Sequence, residues 1–242
     1  MSIKSKVFAA AATLTLVGGV SAVGTLSASA ATPSCGPGCF NFFSKDFNTG
    51  ATPSFVVDVF RQGERVGQPI IQFRASNSDP AEDFTSSLQG QVADFLAAGL
   101  VSPVVALHYN FDPAFELEYA PFGVDSGLCV GVFATASQNE GVTLQPCGVS
   151  AKTVWIQDVG ATKASVFTGL VGGFHPLING SDTNFSHPFV LTYPSNGFPT
   201  DIPRPQLKVA NLTGFSNSLT GGAIINTVSS NQLWSWVLGV LP

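Results

Sequence analysis

The sequence predicts an all-β fold, and three observations predict it. Short apolar runs recur along most of the chain, among them "SFVVDVF", "QPIIQF", "FELEY", "GLCVGVF", "GVTLQP", "TVWIQDV", "HPFVLTY" and "PQLKVANL", each broken by Gly, Pro, Asn or Ser. Helical periodicity is confined to "DFTSSLQGQVADFLAAGLVS", where Val92, Phe95, Leu96 and Leu100 share a face and Gly99 supplies a stop. One pattern of strand, polar turn, Gly, strand and aromatic also returns along the chain.

The N-terminus is expected to be a secretory signal peptide over residues 1–30. Lys4 and Lys6 precede a charge-free apolar run from Val7 to about Val23, and small residues at Ala28 and Ala30 place the cleavage after Ala30. Residues 31–242 then make one extracellular domain with no further membrane span. The net charge of −5 argues against a nucleic-acid partner, which needs a basic face to displace counterions. Charged residues are 10% of the chain, which leaves few side chains for acid–base catalysis.

Four cysteines in an exported chain point to two disulfides with three possible pairings. Cys35–Cys39 is favoured because "CGPGC" can reverse tightly, and Cys129–Cys147 because it brackets a strand, a loop and a strand. Redox or metal roles for Cys35 and Cys39 are disfavoured: the spacing is not C-x-x-C and no His is near.

The repeat pairs "VVDVFRQGERVGQPIIQFRASNSDPAEDF" with "CVGVFATASQNEGVTLQPCGVSAKTVW" at a period of about 72 residues. Val56 matches Cys129, Ala75 matches Cys147, and Phe84 matches Trp155. A third, stretched copy runs from "HPFVLTYP" through "PQLKVANL" to "NQLW".

These motifs resemble the ricin-type β-trefoil, or R-type lectin, family, whose repeats read C-L-D-V, then G-x-x-V-x-L-x-x-C, then N-x-x-Q-x-W. Here "CVGV", "GVTLQPC" and "VW" follow that frame in the middle repeat, and "NQLW" closes the third. The whole chain also resembles a group of secreted actinobacterial proteins that supplies no activity. The resemblance implies a β-trefoil, here with inserted loops, and the helical period adds one short helix near Val92 to Ala98. It implies that Cys129–Cys147 staples neighbouring strands, and that Trp155 packs in the shared core.

In that family the aspartate of C-L-D-V holds sugar hydroxyls, an aromatic stacks on the sugar, and the closing Asn and Gln support the aspartate. Asp58 occupies the aspartate position of the first repeat, with Asn77 as its amide and Phe60 and Phe73 as candidate stacking faces, although the favoured reading of both rings is core packing. Gly131 and Thr192 stand there in the other repeats, although Gln232 and Trp234 keep the closing motif of the third. The first repeat lacks the disulfide and closes on Glu82-Asp83-Phe84. The resemblance thus implies at most one sugar site, around Asp58. The competing reading of Asp58 is a turn cap or a solvent-facing acid at the barrel mouth.

No catalytic, cofactor or metal motif emerges, and a non-enzymatic role is expected. His108 reads as a strand residue, and His175 and His187 precede prolines in extended positions. "NGSDTNFSHPF" holds Ser, His and Asp but no nucleophile elbow, so it reads as a polar loop. Glu116 and Glu118 share one strand face and read as solvated. Asp79, Glu82 and Asp83 form an acidic loop whose spacing matches no calcium motif. The partner is expected to be carbohydrate first, then a protein. The third reading is a hydrolase housed in the inserted segments.

Overall fold

Three hairpins and six barrel strands, related by an approximate threefold axis, make the chain a β-trefoil. The computed structural model describes residues 38–48, 53–76, 79–159, 173–184, 186–194, 198–214, 217–218, 222–223 and 228–238. The expected signal peptide, Cys35 and Asn77 lie outside the described residues.

The strands are β1 (Phe40–Ser44), β2 (Phe55–Val59), β3 (Ile70–Arg74), β4 (Phe84–Gln91), β5 (Pro113–Tyr119), β6 (Leu128–Val132) and β7 (Val142–Pro146). They continue as β8 (Val154–Gln157), β9 (Leu177–Asn179), β10 (Phe189–Thr192), β11 (Lys208–Asn211), β12 (Asn217–Ser218), β13 (Gly222–Ala223) and β14 (Trp234–Leu238). Antiparallel pairing runs β14–β1–β4–β5–β8–β9. The His175–Trp234 bridge, with reciprocal hydrogen bonds of 3.0 and 2.9 Å, brings the last strand back to the entry of β9 and closes the barrel.

Hairpins β2–β3, β6–β7 and β10–β11 cap one end. They lock to one another through the bridges Pro69–Thr143, Ile71–Gln206 and Gly141–Lys208, one for each pair of hairpins. The repeat read from sequence is therefore real in space. Asp58, Gly131 and Thr192 take equivalent ladder positions opposite Ile71, Thr143 and Lys208.

Alternation along the strands sorts the side chains into two cores. Phe42, Trp155, Leu177 and Trp234 point into the barrel. Phe43, Val154, Ile156 and Ile178, their immediate neighbours, point outward under two helices. The first helix, α1 (Val92–Ala97), sits where the periodicity predicts it. A capping box between Gln91 and Asp94 starts it, and Gly99 at φ +74° follows its end.

The second helix, α2 (Pro103–Tyr109), replaces the strand expected at His108, within the apolar run "VVALHY". Pro103 fits the first helical turn, and the Ser102 hydroxyl accepts from the Val105 N–H. Val105, Ala106 and Tyr109 then face the outer core. His108 is thus helical.

The two tryptophans of the closing motifs do the same work in two repeats. Trp155 Nε1 donates to the Val130 carbonyl, and Trp234 Nε1 to the Leu191 carbonyl, each at 2.8 Å. Both rings are fully buried, and Trp234 stacks on Phe42 at 5.1 Å. Phe84 holds the third equivalent position and contributes packing alone, beside Tyr119. Trp155→Phe should therefore lower stability by about 1–3 kcal/mol, the range for losing a buried hydrogen bond, measurable by denaturant titration.

The Cys129–Cys147 disulfide joins β6 to the residue that follows β7. Cys39 is also disulfide-bonded. Replacing Cys129 and Cys147 together by Ala should cost roughly 3 kcal/mol by chain entropy for a loop of this size, and the midpoint of thermal unfolding should fall accordingly.

Candidate functional site

Two places in the fold gather unused chemistry: the β2–β3 lobe around Asp58, and the barrel end opposite the hairpins.

At the first, Asp58 lies on β2 and is only 3% exposed. A one-turn 3-10 segment at Pro80–Glu82 leads into β4, and Asp79 caps it by accepting from the Ala81 N–H at 3.0 Å. That turn carries Glu82 inward beneath Asp58. Carboxylate oxygens of Asp58, Asp79 and Glu82 lie within 4.8 Å of one another. Glu82 accepts from the Ser76 N–H at 3.0 and 3.1 Å, and Gln62 Nε2 donates to Asp79 at 3.0 Å. Asp58 has no hydrogen-bond donor among the described residues.

Burial, then the charge of Asp79, pushes Asp58 up to about 7, with Arg204 opposing. Burial raises Glu82 to about 8 against the Ser76 hydrogen bond, and Asp79, Asp58 and Asp83 add to the rise. Of the acids expected in a loop, Glu82 and Asp83 are thus buried and Asp79 is half-buried. Glu82 is 1% exposed, and Asp83 is enclosed with Oδ2 accepting from the Phe122 N–H.

The sugar-binding arrangement implied by the family is not assembled here as an open site. Phe60 and Phe73 are half-buried, and arginines occupy their faces. Arg61 lies 4.9 Å from the Phe60 centroid, and Arg204 lies 3.6 Å from that of Phe73. Asp58 is too enclosed to meet a sugar hydroxyl in this conformation. The other two repeats have moved further. A Cβ on Gly131 would come within 2.8 Å of the Lys152 carbonyl and 2.9 Å of Thr153 Cγ2, so no side chain fits there. In the third repeat, Gln232 Nε2 donates to Thr192 Oγ1 at 3.2 Å and closes the position with a neutral pair.

Residues considered for catalysis have structural duties. Glu116 and Glu118, expected on a solvated face, are buried beneath the β6–β7 lobe. Glu116 accepts from Thr153 Oγ1 at 2.5 Å and from the Gly148 N–H at 3.0 Å. Glu118 accepts from the Gly127 N–H at 2.8 Å, and burial holds its pKa above the usual carboxylate range. In the Ser/His/Asp loop, Asp182 accepts from the N–H groups of Asn184 and Phe189 at 2.7 Å, and burial raises it to about 6 despite them. Ser181 donates to Asn179 Oδ1 at 2.6 Å, while His187 stays exposed. Burial lowers the pKa of His175, which forms part of the barrel seam.

At the barrel's other end, a cavity of about 570 Å³ opens between β1, β4, β5, β8 and β14. Phe40, Phe115 and Trp236 supply its aromatic wall, and the last two meet edge to face at 5.9 Å. Gln89 and Gln157 reach it from β4 and β8, and neither side-chain amide is hydrogen-bonded among the described residues. None of the described lining residues is charged. A register shift between Ser86 and Gln89, an extra residue in β4, bends the strand at the rim. The sequence reading missed this cavity, whose walls come from five strands spread over the whole chain.

No protein-family model and no curated protein sequence matches the chain. Solved structures similar to it include the designed threefold-symmetric protein ThreeFoil, at 12% identity and a TM-score of 0.46 over 83% of this chain and 98% of that one. The Rhizoctonia solani agglutinin is similar at 12% identity and 0.46, over 84% and 95% of the two chains. A mosquitocidal holotoxin is similar at 13% identity and 0.49, over 84% of this chain and 17% of that one. The trefoil assignment rests on this chain's own strand pairing.

The electrostatics of the Asp58 lobe give a signed expectation. Asp58 and Glu82 hold protons more tightly folded than unfolded. Their contribution to stability is fully present below the ordinary carboxylate range near pH 4 and is lost as pH rises through about 7 and 8. Glu82→Gln keeps an oxygen for the Ser76 N–H and offers an amide toward Asp58, as Gln232 does toward Thr192. In chelator at pH 8 it should be more stable than the wild type by on the order of 1 kcal/mol. At pH 4 the gain should vanish.

Proposed function

We propose that the protein is exported and non-enzymatic, and that it binds a neutral amphipathic ligand, carbohydrate first, in the cavity at the open end of the barrel. The observation that carries this reading is the cavity's composition. Its volume lies in the range of small-molecule sites, which are mostly apolar with a few placed polar groups. The rings of Trp236 and Phe115 offer flat faces for the C–H surface of a sugar. The amides of Gln89 and Gln157 offer paired donors and acceptors for its hydroxyls. The described lining residues carry no charge, which favours a neutral ligand over an anionic or cationic one, because a desolvated charge would find no partner among them. Signal-like residues 1–30 support export.

This reading moves the sugar contact away from Asp58, whose carboxyl is enclosed and whose neighbouring rings are covered. Protein contact is the second reading. It is favoured by Leu107 and Phe111, 78% and 81% exposed at and just beyond α2.

Trp236 is half-buried at the cavity, whereas Trp155 and Trp234 are enclosed, so ligand entry should change the emission of a single tryptophan. Titration with neutral oligosaccharides, followed by fluorescence and calorimetry, tests the proposal. Trp236→Ala should weaken binding roughly 10-fold or more, as for a central aromatic anchor, and Asp58→Ala should leave it unchanged. Binding lost in Asp58→Ala but kept in Trp236→Ala would return the site to the first repeat. No binding across a broad glycan panel would favour the protein-contact reading.

A further inference from the structure

We propose that Asp58, Asp79 and Glu82 form a site for a calcium-type divalent cation. The three carboxylates converge with oxygens within 4.8 Å of one another. Convergence of acids alone says little, since surface acids often cluster. Here a second observation points to a ligand. Asp58 is 97% buried, is aimed at the other two, and has no donor among the described residues. Buried polar groups are normally paired, so such a carboxylate calls for a positive partner.

Arg204 is close enough to act electrostatically, but its guanidinium lies over the Phe73 ring at 3.6 Å instead of pairing with the acid.

The other repeats show how the fold satisfies this position without an ion. In the third, the equivalents of Asp58 and Glu82 are Thr192 and Gln232, joined by an amide-to-hydroxyl hydrogen bond of 3.2 Å. In the second they are Gly131 and Thr153, with no carboxylate, and Thr153 turns its hydroxyl to Glu116 at 2.5 Å. The first repeat alone places carboxylates at both positions and adds Asp79 beside them. Among the described residues no amide or hydroxyl links the pair. A cation between them does the work that the Gln232 amide does in the third repeat.

The ligand set is all oxygen, with no His or Cys in it, which selects a hard cation over zinc or copper. Three carboxylates offer up to six oxygens, and half-buried Asp79 leaves a path for the ion and its remaining waters. Calcium tolerates this irregular geometry, whereas magnesium demands a near-ideal octahedron and gives up water reluctantly.

The test uses the purified protein, stripped with chelator and exchanged into chelator-free buffer at pH 8. Calorimetric titration with CaCl2 should give one site. With affinity in the range of extracellular calcium modules, 10 mM CaCl2 should raise the thermal midpoint by about 5 °C or more, and MgCl2 should raise it less. Asp58→Asn and Glu82→Gln should each abolish the calcium shift. Glu82→Gln supplies its own amide, so it should remain folded without the ion, which separates lost binding from lost folding. Absence of heat and of any calcium-dependent shift in the wild type would overturn the proposal. So would an undiminished shift in Asp58→Asn.

Discussion

Each tryptophan of the closing motifs reaches from a barrel strand to the backbone of a hairpin, and the relation between barrel and cap depends on that reach. The other hydrogen-bonded ties from barrel to cap are sparse and lie at the strand ends, such as Glu118 with Cys129 and Val190 with Ile178. Trp155 and Trp234 place indole nitrogens 2.8 Å from the Val130 and Leu191 carbonyls. The carbonyls that face the barrel interior are therefore not left bare in an apolar core. The same contact fixes the register of the next residue along those two hairpin strands, which is Gly131 or Thr192. Phe84 fills the equivalent space in the first repeat without the nitrogen. The one repeat that lacks the indole also places carboxylates at both of the paired positions.

Those paired positions show how one geometry accommodates three chemistries. Gln232 and Thr192 form a neutral hydrogen bond. Thr153 and Gly131 exclude any side chain and redirect the hydroxyl to Glu116. Glu82 and Asp58 stand acid to acid. The backbone is alike in all three, because the hairpin ladders and the three inter-hairpin bridges set it independently of the side chains between. Polar chemistry at this layer can vary while the trefoil persists.

Much of the trefoil was legible because repeats write long-range structure into local spacing. The match of Val56 to Cys129 and of Phe84 to Trp155 located equivalent strands before any contact was known. The helix at Val92 was readable for a similar reason, since its apolar period lies within one turn-bounded segment. "VVALHY" misled because four apolar residues in six satisfy either period, and Ser102-Pro103, the capping signal, stood just outside the run. Glu116 and Glu118 misled because their spacing gives a shared face but not which element covers it. The hairpin that buries them comes from residues 128–146. The carboxylate cluster joins residues 58, 79 and 82 through a hairpin and a tight turn, and the cavity joins strands from Phe40 to Trp236. Neither arrangement leaves a signature in local spacing.

The barrel is sealed unevenly, which bears on how the molecule would come apart. β1 and β14 pair over five residues, and β4 and β5 over nearly their whole lengths. Among the described residues, the return from β14 to the start of the third repeat is the reciprocal pair at His175 and Trp234. β1 and β4 are likewise joined by one pair, Phe40 with Phe84, so the cylinder has two single-pair junctions. The amide protons of His175 and Trp234 then report on sub-global opening rather than complete unfolding. The β14–β1 ladder can swing between these two junctions while β4, β5, β8 and β9, joined by longer ladders, stay together as a foldon.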